Sequence, residues 1–553
     1  MEANKTGTDN RIIIFALVVA LVALLQYVKS YKNEFVWDSV AMFSADPSLR
    51  EVAYLPDYFL ESYQAHYPIG LRPALQYYRP LIKIFHVIEY QAFGQNPIGY
   101  NSVNIVLNAA VVVLAFLFIN AVTGNTNAAF LAALLYAVNP TRVEAVSWAY
   151  SDSYIFMAFF SFLSLLLYQK KRYLLSTLAF AFSLFCHESA ILLPVIVVLY
   201  ECCIPGEKAP RPWIRTAPFF ALTGLFLLLR RAVVGAVPLT DLSPFTLFNT
   251  VLVIIKRYVK IFFIPDAPVT IYQLELFPRM TAEVAVSYAV ALGLVIFGVF
   301  LWRKKREYLF WYLWFFVWIS VNFNVGRFAD GLMGEKLLNT ASFGFCALLA
   351  LFAINVKRWK IVAIALISAL VLFHFLTTFN RTRYWKDNIT YFEKALEFNP
   401  TSIPALIELG NAYVEEGEQD KAILLCERVI AIAPRLSLPY LTQGRAYGRK
   451  GDLDRAMKAL AMSIQLDPSN PRPYYYMGVA MERRGDLKLA LQYYRQHLAL
   501  AQDPSSPVIG KVKKVEEKIK RNNKFKALGS PIGARQVFGK VFCSRTQWLG
   551  VMA

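Results

Sequence analysis

The chain has 553 residues, 57% of them hydrophobic, and its 58 basic against 38 acidic residues give a formal charge of +20. So much apolar sequence, broken into runs of about 20 residues, excludes a single soluble core and predicts an integral membrane protein. The basic excess lies in short loops between apolar runs, so it reports topology and excludes nucleic acid as the partner such a charge would suggest in a soluble chain.

The first apolar run, 12–28, follows Lys5 and Arg11 but lacks a small-residue cleavage site, so a retained first span is expected rather than a removed signal peptide. A long polar stretch, 29–100, follows, with Asp38 in "FVWDS" and Arg79 in "YYRPL", flanked by Arg72 and Lys83. Further apolar runs occupy 101–122, 126–140, 149–168, 172–186, 188–203, 214–230, 247–264, 283–302, 308–322, 338–355 and 359–378. Between them stand the basic loops "QKKR" at 169–172, "GEKAPRP" at 206–212, "RKKRE" at 303–307 and "NVKRWK" at 355–360. With a cytoplasmic N-terminus, all four fall inside only if the run at 247–264, interrupted by Lys256, Arg257 and Lys260, lies along the outer surface. That arrangement predicts about eleven spans, with everything beyond residue 380 on the outer face.

The same parity collects five polar segments on the outer face. They are 29–100, "NPTRVEAVSW" at 139–148, "CHES" at 186–189, "PDAP" at 265–268 and "GRFADGLMGEK" at 326–336. Each alone reads as a capped helix end or a solvated turn, but charged groups converging on one membrane edge predict a site. Two readings of Asp38 stand: a general base for an acceptor hydroxyl, or a loop acid near Lys32. Arg79 either forks onto the phosphate of a lipid carrier or snorkels at the interface. Arg142, Glu144, His187, Glu188, Arg327, Glu335 and Lys336 are expected to line the same cavity, His187 having a hydrogen-bonded helix-end histidine as its competing reading. The cysteines, Cys186, Cys202, Cys203, Cys346, Cys426 and Cys543, show no metal-ligand spacing and no disulfide framework. No metal ligands are assigned, and no cofactor is certain.

After the last apolar run the periodicity changes. Pro400, Pro434 and Pro468 are 34 apart, as are Gly410, Gly444 and Gly478, then Gly417, Gly451 and Gly485, then Ala422, Ala456 and Ala490. That is the tetratricopeptide period, in which antiparallel helix pairs stack into a solenoid with a concave groove. Three full units and a partial leading one, "RYWKDNITYFEKALEFNP", fill 381–502, and Tyr413, Tyr447 and Tyr475 read as packing positions. The stretch 503–553, rich in Lys, Gly and Ser, is expected to be poorly ordered.

The strings "FVWD", "YRPL", "NPTRVEAVSW", "HESAILLPVIVVLYE", "KRYVKIFFIPDAPVT" and "GEKLLNTASFGF", in this order and followed by the repeats, resemble the transmembrane and tetratricopeptide-repeat O-mannosyltransferases and their bacterial relatives, of the GT-C glycosyltransferase class. The resemblance implies a polyprenyl-phosphate-sugar donor, transfer on the periplasmic or lumenal face, Asp38 as catalytic base, and Glu144, Glu188 and Glu335 as acids of later motifs. The chain departs from that family at Ser39, where a second acid is usual, at Asn139 and Arg142 in place of two histidines, at Asp152, offset by about two positions, at His187 in place of lysine and at Lys336 in place of arginine. Sugar and acceptor are left open by these departures. The fold expected is all-α: a GT-C-like membrane domain of about eleven helices over 1–380, then a tetratricopeptide α-solenoid. The function expected is inverting sugar transfer to a hydroxyl on protein at a bacterial inner membrane, with the repeats periplasmic and holding the acceptor. The alternatives are the same chemistry on a lipid or cell-surface glycan, or a non-catalytic repeat scaffold.

Overall fold

A computed structural model describes residues 2–65, 77–204, 212–235, 242–265, 276–323, 333–501 and 506–528, and among these every regular element is helical. The chain divides into two compact units, one running to Ala405 and the other from Leu406 onward. The first is built from α1 (Glu2–Gln26), α2 (Asp38–Ala45), α3 (Pro80–Phe93), α4 (Pro97–Thr123), α5 (Thr126–Val138), α6 (Val143–Ser147), α7 (Ser153–Gln169), α8 (Tyr173–Cys186) and α9 (Leu193–Cys203). It continues with α10 (Pro212–Val234), α11 (Pro244–Phe263), α12 (Ala282–Lys304), α13 (Arg306–Ile319), α14 (Leu338–Asn355), α15 (Lys360–Arg381) and α16 (Asn388–Phe398). Side chains of Asn96, Asn125, Ser243 and Thr281 accept backbone N–H bonds at the starts of α4, α5, α11 and α12, which is why these apolar runs begin where they do.

Six helical stretches among the described residues are long and apolar enough to cross a membrane: Pro97–Thr123, Ala149–Gln169, Trp213–Val234, Ala282–Lys304, Glu335–Asn355 and Lys360–Trp385. Asn10–Gln26, Thr126–Val138 and Tyr173–Cys186 are shorter apolar helices. A count of six differs from the sequence expectation of about eleven because several apolar runs break into short 3-10 turns at their polar ends, leaving helices such as α9 and α13 only 11 and 14 residues long. With its many apolar helices the chain is an integral membrane protein. Burial sorts them: the apolar window of Glu335–Asn355 is 78% buried, whereas those of α10, α12 and α15 are 11%, 17% and 17% buried and leave most of their apolar surface exposed, as helices on the outside of a membrane bundle do.

The bundle interior is aromatic. Trp311 and Trp314 of α13 pack on Phe118, Phe162 and Phe343, and the Trp314 indole N–H donates to the Thr340 carbonyl at 2.8 Å. The close approach depends on Gly344, where an added Cβ would sit 2.5 Å from the Trp311 carbonyl and 2.8 Å from Trp314 Cδ1. Gly344→Ala is therefore expected to cost about 1–3 kcal/mol and lower the thermal midpoint of the detergent-solubilised protein; an unchanged midpoint would mean that α13 and α14 separate at no cost.

The contacts of α11, the helix expected to lie along the surface, include partners on α12, α13 and α14. Lys256 and Arg257 of α11 both bond Glu283 in the first turn of α12, Tyr258 meets Gly334 just before α14, and Phe262 packs on Phe315 and Phe345. In the stretch 29–100, read from sequence as a long loop, α2, α3 and several 3-10 turns form instead. The partial leading repeat, α16, belongs to the first unit, where Tyr391 and Phe392 pack on Trp37 and Trp385.

In the second unit, α17 (Ile403–Glu416) to α22 (Leu487–Ala501) pair as α18 (Gln419–Ile432), α19 (Ser437–Lys450), α20 (Leu453–Leu466) and α21 (Pro471–Arg484) between them. The sequence columns have distinct physical causes. Gly444 and Gly478 let helices touch, since a Cβ there would lie 2.6 Å from Leu460 Cγ and 2.7 Å from the Tyr494 ring. Gly417, Gly451 and Gly485 stop helices at φ of +90°, +91° and +92°, and Ala422, Ala456 and Ala490 are fully buried. The expectation of a poorly ordered tail fails for its first part. Residues Val508–Leu528 form α23, whose Val508, Val512, Val515 and Ile519 make an apolar stripe against Ala490 and Tyr494 despite the surrounding lysines.

Candidate active site

Asp38 opens α2 from a strained approach. The preceding residue, Trp37, has φ of 56°, a left-handed conformation that a bulky side chain adopts only when its surroundings fix it. They do: the Trp37 ring stacks on Trp148 at 5.3 Å with an interplanar angle of 10°, its backbone N–H donates to Asn388 Oδ1 at 2.7 Å, and the Trp148 indole donates to the Val36 carbonyl at 3.0 Å. Ser39 Oγ accepts the Tyr150 N–H at 3.1 Å, locking the start of α2 to the start of α7. Among the described residues no hydrogen bond or ion pair is made by the Asp38 carboxylate. Burial pushes it up to about 6, and the Lys336 ammonium opposes that rise.

Lys336 is fixed from the other side. Its N–H donates to Glu144 Oε2 at 2.8 Å, its Nζ pairs with Glu144 Oε1 at 3.3 Å, and the ammonium lies 4.5 Å from the Trp148 ring centroid. Glu144 is buried on α6, so the short turn "NPTRVEA" serves to place this carboxylate beneath Lys336.

Arg79 sits at the N-terminal end of α3, ahead of Pro80. Its Nε donates to Glu188 Oε2 at 2.7 Å, Nη1 reaches Ser153 Oγ at 3.4 Å, and the guanidinium lies 4.3 Å from the Tyr77 ring centroid. Glu188 Oε1 also accepts the Tyr78 N–H at 3.1 Å, so one carboxylate holds both the arginine and its backbone. Nη2 is left with no acceptor among the described residues. Although burial acts to lower it, Glu188 holds Arg79 above its ordinary pKa, and it is charged at every working pH.

His187 is 4% exposed. Its Nδ1 accepts the Ser189 N–H at 3.1 Å, which leaves the ring proton on Nε2, where no described residue accepts it. Burial, reinforced by Arg79 and Lys336, holds His187 well below its ordinary pKa, so it stays neutral. Its ring lies 4.0 Å from that of Tyr154, whose charge environment includes Arg79, Tyr77, Glu144 and Glu188.

Asp38, Arg79, Glu144, His187, Glu188 and Lys336 lie close enough to share contacts or charge interactions, and Tyr77, Tyr150, Ser153 and Tyr154, which sequence reasoning did not single out, stand among them. Two expected members behave otherwise. Arg142 is fully buried, with Nε on Asn339 Oδ1 at 3.0 Å, Nη2 on Asn108 Oδ1 at 2.5 Å and Nη1 on the Tyr136 carbonyl at 3.4 Å, so it fastens α4, α5 and α14 instead of offering a phosphate fork. Glu335 is also fully buried and takes a 2.9 Å bond from Arg381, tying the turn before α14 to the end of α15. Arg327 lies outside the described residues. An apolar crevice of about 450 Å³ runs between α12 and α13, lined by Leu294, Val295, Val299, Trp302, Leu313 and Phe316, with Leu252 and Ile255 of α11 at its edge.

The tetratricopeptide-repeat family profiles match residues 391–423 and 441–507. The chain is 22% identical over 449 residues to a protein O-mannosyl-transferase of Caenorhabditis elegans, covering 75% of this chain and 61% of that protein. It is 23% identical over 461 residues to protein O-mannosyl-transferase TMTC3 of Mus musculus, covering 74% and 50%. To TMTC2 of Mus musculus it is 36% identical over 93 residues, 17% of this chain and 11% of that one. A solved structure, the Sgt2 repeat domain from Aspergillus fumigatus, aligns at 23% identity over 22% of this chain and 82% of its own with a TM-score of 0.21, too low to bear on the fold.

The class is therefore that of integral membrane proteins joining an apolar helical body to tetratricopeptide repeats. Within it, the chain is similar to the protein O-mannosyl-transferases, and it spans 61% and 50% of the length of the two relatives described above that it matches over about three quarters of its own.

Proposed function

We propose that the protein is a GT-C glycosyltransferase that moves a sugar from a polyprenyl-phosphate donor to a hydroxyl, most readily one on protein, on the periplasmic or lumenal face of about eleven spans. The observation that carries this reading is the Asp38 carboxylate, held near neutrality without a hydrogen-bond partner among the described residues and facing Lys336. A general base works best with a pKa close to the operating pH and a lone pair not committed elsewhere.

In the proposed step the acceptor oxygen attacks the anomeric carbon as the bond from that carbon to the phosphate oxygen breaks. The acceptor proton passes to Asp38, and the polyprenyl phosphate leaves with the bonding electrons. Arg79 through Nη2, aided by Lys336, stabilises the charge growing on the phosphate, while the Nε2–H of His187 donates to a donor oxygen. Direct displacement inverts the anomeric configuration. The lipid-facing crevice between α12 and α13 offers a path for an isoprenoid chain. The names of the relatives favour a protein acceptor, and a peptide-binding role for the repeats follows from their groove.

The pH dependence supplies one check. The protonated Asp38 cannot act as base, so kcat/KM rises with pH through an acid limb near 6. Lys336 lowers the Asp38 pKa, so Lys336→Met leaves burial unopposed and moves that limb upward; a limb that stays in place or moves down would remove Lys336 from the Asp38 environment. Function itself is tested by mass spectrometry of secreted and membrane proteins and of extracted glycans with and without the gene. Loss of a single hexose-type mass from Ser or Thr peptides supports the reading; a change confined to lipids or surface glycans selects that acceptor, and no change in any fraction rejects transfer.

A further inference from the structure

Deeper along α3, away from Arg79, the fold assembles a second polar group that no sequence spacing announces. His86 and Glu89 are three apart and share one face of α3, and Asp152 precedes α7. One donor atom from each lies within 4.8 Å of the others, and all three side chains are buried. His86 Nε2 and Asp152 Oδ2 are 2.6 Å apart, while His86 Nδ1 faces the Tyr63 hydroxyl at 3.3 Å. Glu89 is 5% exposed, and among the described residues neither of its carboxylate oxygens has a hydrogen-bond partner; Asp152 Oδ1 has none either.

A buried carboxylate without donors is expensive, and a second one beside it more so. The neighbouring cations are occupied: Lys83 pairs with Asp46, and Arg79 with Glu188. A divalent cation resolves the imbalance. One imidazole nitrogen and two carboxylate oxygens form a donor set of the kind that holds Zn²⁺ or Mn²⁺. A tetrahedral ion about 2.1 Å from each donor spaces the donors about 3.4 Å apart, a value bracketed by the 2.6 Å of His86–Asp152 and the 4.8 Å limit of the group. Coordination through Nε2 would leave the Nδ1–H to donate to Tyr63, the outer contact that orients a ligating histidine.

We propose that His86, Glu89 and Asp152 bind one divalent transition-metal ion, Zn²⁺ by preference, that clamps α3 to the start of α7. Asp152 adjoins Ser153, which meets Arg79, so the ion would hold the helix that carries the phosphate-facing arginine. Its part is positioning, and the proposal does not depend on the transfer reaction.

The test uses the full-length protein in detergent, stripped with chelator, reloaded separately with Zn²⁺ and Mn²⁺ and passed through gel filtration before elemental analysis. Wild type should retain one equivalent of Zn²⁺ and gain thermal midpoint on loading. Glu89→Gln, nearly isosteric, should lose the retained metal and the gain, while the stripped variant melts at or above the stripped wild type because a lone buried charge has been removed. His86→Gln repeats the metal test at a second ligand. Two outcomes overturn the proposal. One is wild type that retains neither metal, which leaves Glu89 and Asp152 sharing a proton; the other is metal held equally by wild type and both variants, which places it elsewhere.

Discussion

Asp38→Asn should abolish sugar transfer, lowering kcat/KM by about 10²–10⁴-fold, in a protein that still inserts and folds. The substitution removes the base but preserves the shape of a side chain that makes no hydrogen bond among the described residues, so little structure is lost with it. Burial opposes its charge, so the folded protein prefers the neutral amide. Stability measured above pH 6 should accordingly be equal or slightly greater in the variant. Activity is read with a polyprenyl-phosphate sugar and an acceptor peptide in proteoliposomes, and folding by gel filtration and thermal midpoint. Wild-type turnover in Asp38→Asn would leave Asp38 as a loop acid.

The second large effect is expected at Arg79. Replacing it with alanine would strip Glu188 of its partner in a nearly buried pair, a loss of about 3–5 kcal/mol that confuses folding with catalysis. Arg79→Lys is the better probe. It keeps the charge next to Glu188 but removes the planar fork that lets one edge hold Glu188 while Nη2 faces the donor phosphate. Transfer should fall by about 10²–10³-fold, with the loss expressed against donor rather than acceptor concentration. A variant with wild-type dependence on donor and reduced thermal midpoint would make Arg79 a strut between α3 and Glu188 and nothing more.

The residues show why parts of this site can be read from sequence and parts cannot. Charge placement in the loops predicts which polar segments share a membrane edge, and on that expectation Asp38, Arg79, Glu144, Glu188 and Lys336 are grouped together with Arg142 and Glu335, which the bundle uses otherwise. Parity says nothing about depth. Arg142 lies between a proline turn and Glu144, and only the positions of Asn108 and Asn339 on distant helices reveal that its guanidinium is consumed inside the bundle. The trio of His86, Glu89 and Asp152 was invisible for the same reason, since its third member joins from another helix. The three full repeats were legible because their columns recur with the period and most of their glycines and alanines answer a local demand, a left-handed stop at Gly417, Gly451 and Gly485 or a close contact at Gly444 and Gly478. The lysine-rich composition of 508–528 concealed the apolar stripe that packs α23 on the last repeat.

Where the donor's headgroup rests is the central claim, and a photoreactive polyprenyl-phosphate sugar tests it most directly. Irradiated with the reconstituted protein and digested, it should label peptides containing Tyr77–Arg79 and Lys336, and excess unlabelled donor should suppress that labelling. Label confined to other segments, or insensitive to competing donor, would contradict the account.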